Sequence, residues 1–119
     1  MMNNSKLQNL FVLSHKVTVY VPATMNDENG AHEIDNTHYT NIIAELLAST
    51  FGGATSTDAI GYWVSSERGL EKERTKMVFA YAESLDQIDL IIDKCEWLKS
   101  ELNQDAVALE IDGRMYFIE

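Results

Sequence analysis

Four side chains able to bind a metal or move a proton fall close together: His32, Glu33, Asp35 and His38. Imidazole with carboxylate suits zinc, nickel or iron. Their spacing matches no compact site, since the two histidines are six apart rather than at the i, i+4 of a helical pair. The run Asn26-Asp27-Glu28-Asn29-Gly30 lacks the alternating ligands and the closing bidentate Glu of a calcium loop. No metal site is therefore expected. Nucleophilic chemistry is no better supported. There is no Gly-x-Ser-x-Gly elbow, and Cys95, the only cysteine, falls on the apolar side of a predicted helix, where a buried structural thiol is expected. His15, His32 and His38 could each act as a general base, but nothing in the sequence pairs one with an orienting carboxylate and a nucleophile. The turn Phe51-Gly52-Gly53-Ala54-Thr55 follows a helix instead of opening one, so it reads as a helix C-cap and not as an anion cradle. No catalytic residue and no cofactor is assigned.

The strongest chemical pattern is acidic. Asp86, Asp89, Asp93 and Glu96 recur three and four apart, which lays them along one face of a helix. Such like-charge neighbours cost a helix about 0.2–0.5 kcal/mol per pair, which a basic partner surface would offset. Leu85, Ile88, Ile92, Cys95 and Leu102 form the opposing apolar stripe. Pro22 through Asp58 adds six acids and no Lys or Arg, including Asp27, Glu28, Glu33 and Asp35. Arg68, Lys72, Arg74 and Lys76 instead cluster with three Glu in a second region. The net charge of −10 argues against direct binding to nucleic acid or an anionic membrane, because phosphate is bound by Lys and Arg.

These residues must be positioned by some framework, and 119 residues suit one domain. Residues 1–15 read as an N-terminal arm and 16–119 as the domain. Val17, Val19 and Val21 alternate with Thr18 and Tyr20 as in a half-buried strand, which Pro22 ends. A polar loop of about a dozen residues follows, longer than most connections. Asp35 or Asn36 caps a helix carrying Tyr39, Ile42, Ile43, Leu46 and Leu47 inward, stopped by Gly52-Gly53. Thr55 to Ser65 and Arg74 to Ala82 form an antiparallel hairpin. Ser84 with Gln87 predicts a capping box for a second helix reaching Leu102. Ala106 to Ile111 and Arg114 to Ile118 flank Asp112-Gly113, a two-residue hairpin signal. Strand–helix–strand thus occurs twice, which predicts a ferredoxin-like βαββαβ α+β fold with an extra C-terminal strand. Both helices then cover one face of an antiparallel sheet.

Val17, Val19 and Val21 should face the helices, leaving Tyr20 on the open face with Trp63 and Tyr81. Such aromatics serve base stacking, a dimer interface or a ligand cavity. The acidity disfavours the first, and a homodimer is expected.

The stretches Val17-Thr18-Val19-Tyr20-Val21-Pro22, Phe51-Gly52-Gly53-Ala54-Thr55 and Gly61-Tyr62-Trp63-Val64 resemble a group of small uncharacterised proteins of bacteriophages and bacterial mobile elements. The resemblance runs from Lys16 onward and implies a phage or mobile-element context, without an activity attached to particular residues. By analogy, small acidic proteins in that context block the nucleic-acid surfaces of host enzymes, as anti-CRISPR proteins do.

The leading expectation is therefore a non-enzymatic, cytoplasmic protein whose partner is a basic protein surface. Asp86, Asp89, Asp93, Glu96, Asp27, Glu28, Glu33 and Asp35 would make the contact. The alternative is a small-molecule binding protein or enzyme of the dimeric ferredoxin-like type, with an aromatic pocket formed by Tyr20, Trp63 and Tyr81.

Overall fold

The computed structural model describes residues 5–119, and the first four residues of the expected arm lie outside it. The elements run α1 Ser5–Gln8, β1 His15–Pro22, β2 Thr24–Asp27, β3 Gly30–Glu33, α2 Thr37–Phe51, β4 Thr55–Ser65, β5 Gly69–Ala82, α3 Ile88–Glu101, β6 Val107–Ile111 and β7 Arg114–Ile118. Five strands form one sheet in the order β4-β5-β1-β6-β7, every neighbour antiparallel. Without β7 this is the ferredoxin-like arrangement, with β1 and β5 central and the two crossover helices on one face.

The alternation in β1 does what its period demands. Val17, Val19 and Val21 are fully buried, and their partners across the ladder, Ala80 and Val78, extend the same face. Ile43 and Leu47 of α2 pack on it with Ile91, Cys95 and Leu98 of α3. Each such aliphatic side chain contributes about 1.5–3 kcal/mol by leaving water.

Local signals held where they required no distant partner. Gly52 takes φ 99° and closes α2, its N–H donating to the Ala48 carbonyl at 2.8 Å. Asp112 and Gly113 have φ 54° and 83°, the paired left-handed residues of a tight hairpin. Asp112 also ties that turn to β1. Its Oδ1 accepts from the Lys16 N–H at 2.8 Å, and its Oδ2 lies 2.6 Å from His15 Nδ1. These contacts, the His15 hydrogen bond first, hold the Asp112 carboxyl below the ordinary carboxylate range. A depressed carboxylate stabilises the fold above its unfolded-state pKa and loses that contribution as pH falls through its folded value. Asp112→Asn is accordingly less stable than wild type at neutral pH, and chemical denaturation along a descending pH series shows the two converging in the acid range.

Three expectations differ from the structure. The polar loop is a small hairpin, β2 paired with β3. Its side chains meet the end of α3: Asn26 Nδ2 donates to the Asn103 carbonyl at 2.9 Å, Asn103 Nδ2 to the Asn26 carbonyl at 3.0 Å, and Gln104 Nε2 to the Thr24 carbonyl at 2.9 Å. The capping box does not form. The Ser84 hydroxyl accepts from the Asp86 N–H in a turn at 3.4 Å, and α3 starts only at Ile88. Its inward face is therefore Ile91, Cys95 and Leu98, with Ile88 and Ile92 at the margin. Finally, β5 begins at Gly69 rather than Arg74, and it pairs with β4 along its whole length up to Phe79. The outer half of this pair projects as a ribbon from a molecule 58 Å long and 31 by 22 Å across.

Cys95 is fully buried, and burial pushes its thiol up to about 12. The thiolate is the reactive form, so native protein should resist alkylation by iodoacetamide, and the label should enter only when denaturant opens the core. Rapid labelling of the native chain would contradict this packing.

Candidate active site

β4 starts opposite Phe79, so the last residues of β5 have β1 on one side only. The open edge left there is walled by Phe11 and Leu13 from the N-terminal arm. The end of α2, with its Phe51-Gly52-Gly53-Ala54-Thr55 turn, forms the other wall. The result is a cleft of about 820 Å³ in which Phe11, Phe51, Phe79 and Tyr81 meet the acidic residues Glu83 and Asp86. This falls within the range of small-molecule sites.

Phe79 and Tyr81 alternate along β5, which puts both rings on the same side. They meet edge to face, centroids 6.2 Å apart at 90°. Lys16 lies over both, its Nζ 4.6 Å from the Phe79 centroid and 5.7 Å from that of Tyr81. The ring faces thus already attract one cation. An aromatic wall bordered by carboxylates can hold a flat heterocycle by stacking and a positive centre by charge.

On the open sheet face, the Tyr20 hydroxyl donates to Glu110 Oε1 at 2.8 Å. Partial burial first, and then the Glu110 hydrogen bond and charge, raise the phenol above its ordinary pKa. Tyr20 therefore stays a hydrogen-bond donor at neutral pH.

A second cleft, of about 960 Å³, lies at the start of α2. Its cations are met by the chain's own acids: Lys76 by Asp58, and Arg74 by Glu33 at 3.9 Å. Asp35 Oδ1 accepts from the Thr37 N–H at 3.0 Å and hydroxyl at 2.6 Å, which lower its pKa and shape the entry to α2. Asn36 sits at the cap position but turns its amide to the Val21 and Pro22 carbonyls instead. This cleft is a structural seam between hairpin and helix.

The aromatic residues singled out from sequence part company. Tyr20 and Tyr81 share the open face, Tyr20 pairing with Met77, four residues before Tyr81 or roughly 13 Å along the strand. Trp63 pairs with Glu71 on the ribbon, ten residues or roughly 33 Å from Tyr81. The acids are likewise spread. Asp89, Asp93 and Glu96 are exposed on α3, Asp86 lines the aromatic cleft, Asp27 and Glu28 are at the β2–β3 turn, and Glu33 and Asp35 flank the second cleft. His32 lies 3.4 Å from Asp27, and His38 packs on Tyr39 at 5.2 Å. Among the described residues, no group of three His, Cys, Asp or Glu side chains comes together. Sequence reasoning missed Phe79, Phe11 and Glu83. The parity of β5 would have found Phe79, two residues before Tyr81, whereas Phe11 reaches the site only because the arm folds back.

No known protein family's pattern matches the chain, and no curated protein matches it. Solved structures do. Two of a phage SAM lyase superpose on it: one in complex with S-methyl-5'-thioadenosine, at TM-score 0.63 and 15% identity over 92% of both chains, and one in the apo state, at TM-score 0.59 and 16% identity over 92% of this chain and 94% of that one. This chain has the fold of that lyase. The neighbours are phage proteins, in keeping with the context the sequence resemblance implies.

They also correct the leading expectation. The two solved structures that share this architecture over nearly their whole length are of a lyase, one of them with a bound nucleoside, so they point away from a non-enzymatic, anti-CRISPR-like acidic inhibitor. The physical ground agrees. The acids expected to form one basic-protein interface are dispersed over a helix, a turn and two clefts, and one of them, Glu33, already faces Arg74. No helix among the described residues is long and apolar enough to cross a membrane.

Proposed function

We propose that the protein is an enzyme that binds S-adenosylmethionine or a close sulfonium analogue in the aromatic cleft and releases S-methyl-5'-thioadenosine. The observation that carries this reading is the Phe79–Tyr81 pair beside Glu83 and Asp86, in a cleft large enough for a nucleoside, on the fold of a lyase that binds the thioether product. The substrate is a cation at its sulfur and its amino group, and an acidic protein draws cations toward its surface. The net charge of −10 therefore acts as a steering field for a positively charged substrate.

The reaction needs little from the protein. The bond from sulfur to the amino-acid side chain breaks, and sulfur keeps the electron pair to become a neutral thioether. The carbon left behind is taken by the substrate's own carboxylate oxygen, so atoms and charge balance with no second reactant. Stacking on Phe79 and Tyr81 holds the adenine, and Glu83 and Asp86 hold the substrate's ammonium. The protein's contribution is then mainly to fix a reactive conformer.

The test is direct. Purified protein incubated with S-adenosylmethionine should generate S-methyl-5'-thioadenosine, followed by chromatography, and the thioether should raise the melting temperature of the protein. A folded protein that neither forms the thioether nor is stabilised by it would overturn the reading.

A further inference from the structure

The substrate of the proposed reaction carries an anion as well as cations: its amino-acid end holds an ammonium and a carboxylate on one carbon. The residues lining the aromatic cleft include Glu83 and Asp86 but no Lys, Arg or His. That lining attracts the ammonium and repels the carboxylate. Lys16 is the amine that meets the same rings. It pairs with Tyr81 across the β1–β5 ladder, and Phe79 stands opposite Thr18, the next residue of β1 on that face. Its Nζ lies 4.6 Å from the Phe79 centroid and 5.7 Å from that of Tyr81. Lys16 is exposed, and among the described residues it makes no ion pair. In a chain with 19 Asp and Glu against 9 Lys and Arg, an amine left to two ring faces is free to take an anion. Its backbone, by contrast, is fixed. The Lys16 N–H donates to Asp112 Oδ1 at 2.8 Å, and the Lys16 carbonyl accepts from the Asp112 N–H at 3.0 Å. The other carboxylate oxygen of Asp112 is engaged by His15. The root of the side chain is thus anchored beside the rings while its flexible four-carbon stem can swing.

We propose that Lys16 binds the carboxylate of the substrate's amino-acid end, and so makes the cleft select ligands that carry one. This assignment rests on the reading of the cleft as a sulfonium-nucleoside site and adds the group that recognises the anion. On binding, the Lys16 ammonium leaves the faces of Phe79 and Tyr81, which the adenine then takes, and closes on one carboxylate oxygen. A hydrogen-bonded ion pair is stronger than a cation–π contact at an exposed site, which favours the exchange. The second carboxylate oxygen is the one that attacks the carbon bonded to sulfur. Holding the first oxygen turns the second toward that carbon. The new carbon–oxygen bond forms from that oxygen's lone pair as the pair of the carbon–sulfur bond goes to sulfur. Lys16 neither gains nor loses a proton. The thioether product has no amino-acid end, so Lys16 holds the substrate and not the product.

Lys16→Met, which removes the charge and keeps most of the stem, tests this against three ligands. The kcat/KM for S-adenosylmethionine should fall roughly 10- to 100-fold, the size of a lost hydrogen bond between charged groups. By titration calorimetry, S-methyl-5'-thioadenosine and decarboxylated S-adenosylmethionine, which keeps the ammonium, should bind as they do to wild type or more tightly. Lys16→Arg should recover most of the preference for the carboxylated ligand. A Lys16→Met protein that binds all three ligands equally more weakly would make Lys16 a mere support of the rings and overturn the assignment. An unchanged kcat/KM for the substrate overturns it too. A folded wild type that neither forms the thioether nor is stabilised by it overturns the reading of the cleft, and the assignment of Lys16 falls with it.

Discussion

Tyr81→Ala binds S-methyl-5'-thioadenosine roughly 10- to 100-fold more weakly than wild type, because a base stacked on an aromatic ring gains about 1–3 kcal/mol. Phe79→Ala has an effect of the same size, since the rings form one edge-to-face unit. Titration calorimetry gives the affinity, and the rate of thioether formation should fall with it. Tyr81→Phe separates stacking from hydrogen bonding. It keeps the ring and should keep most of the affinity. Tyr116→Ala is the control, an exposed tyrosine on β7 away from the cleft. Should Tyr81→Ala bind like wild type while Tyr116→Ala does not, the ligand sits elsewhere on the sheet.

Leu98→Ala lowers the unfolding free energy by about 2–5 kcal/mol, the usual cost of emptying a buried leucine site. Leu98 is fully buried and packs in the cluster that joins α3 to the sheet. Against a typical total of roughly 5–15 kcal/mol, that loss could remove a large share of the protein's stability. Leu98→Met should cost less than about 1.5 kcal/mol, because volume is kept. Urea denaturation gives both values. A loss for Leu98→Ala no larger than that for Leu98→Met would mean that α3 is not the lid of the core.

These two expectations rest on features of unequal legibility. The fold could be read because its signals are local and periodic: the Val17, Val19, Val21 alternation, the left-handed stop at Gly52 and the Asp112-Gly113 turn all act within a few residues. The start of α3 could not. Ser84 and Gln87 have the spacing of a cap, yet the Ser84 hydroxyl closes a turn with Asp86 and the helix begins only at Ile88. The β2–β3 hairpin was hidden for a related reason. Asn26, Asn103 and Gln104 are polar enough to read as loop, and their partners are over 70 residues away in the chain.

The site lay deeper still. Tyr81 was visible as an aromatic on a strand, but Phe11 and Glu83 come to it from outside the sheet's alternation. Charge along a sequence also says nothing about what is charged across from it. Glu33 faces Arg74, and Asp58 faces Lys76, only in the folded chain.

Sequence alone thus determined the α+β order of elements, the buried face of β1 and a strongly anionic surface, since period, turn chemistry and net charge are properties of neighbouring residues or of composition. Tertiary structure alone decided where the aromatics gather, which acids remain unanswered and where the edge of β5 opens into a cleft. Those depend on register and on contacts between distant segments, where a shift of one residue sends a side chain to the opposite face of the sheet.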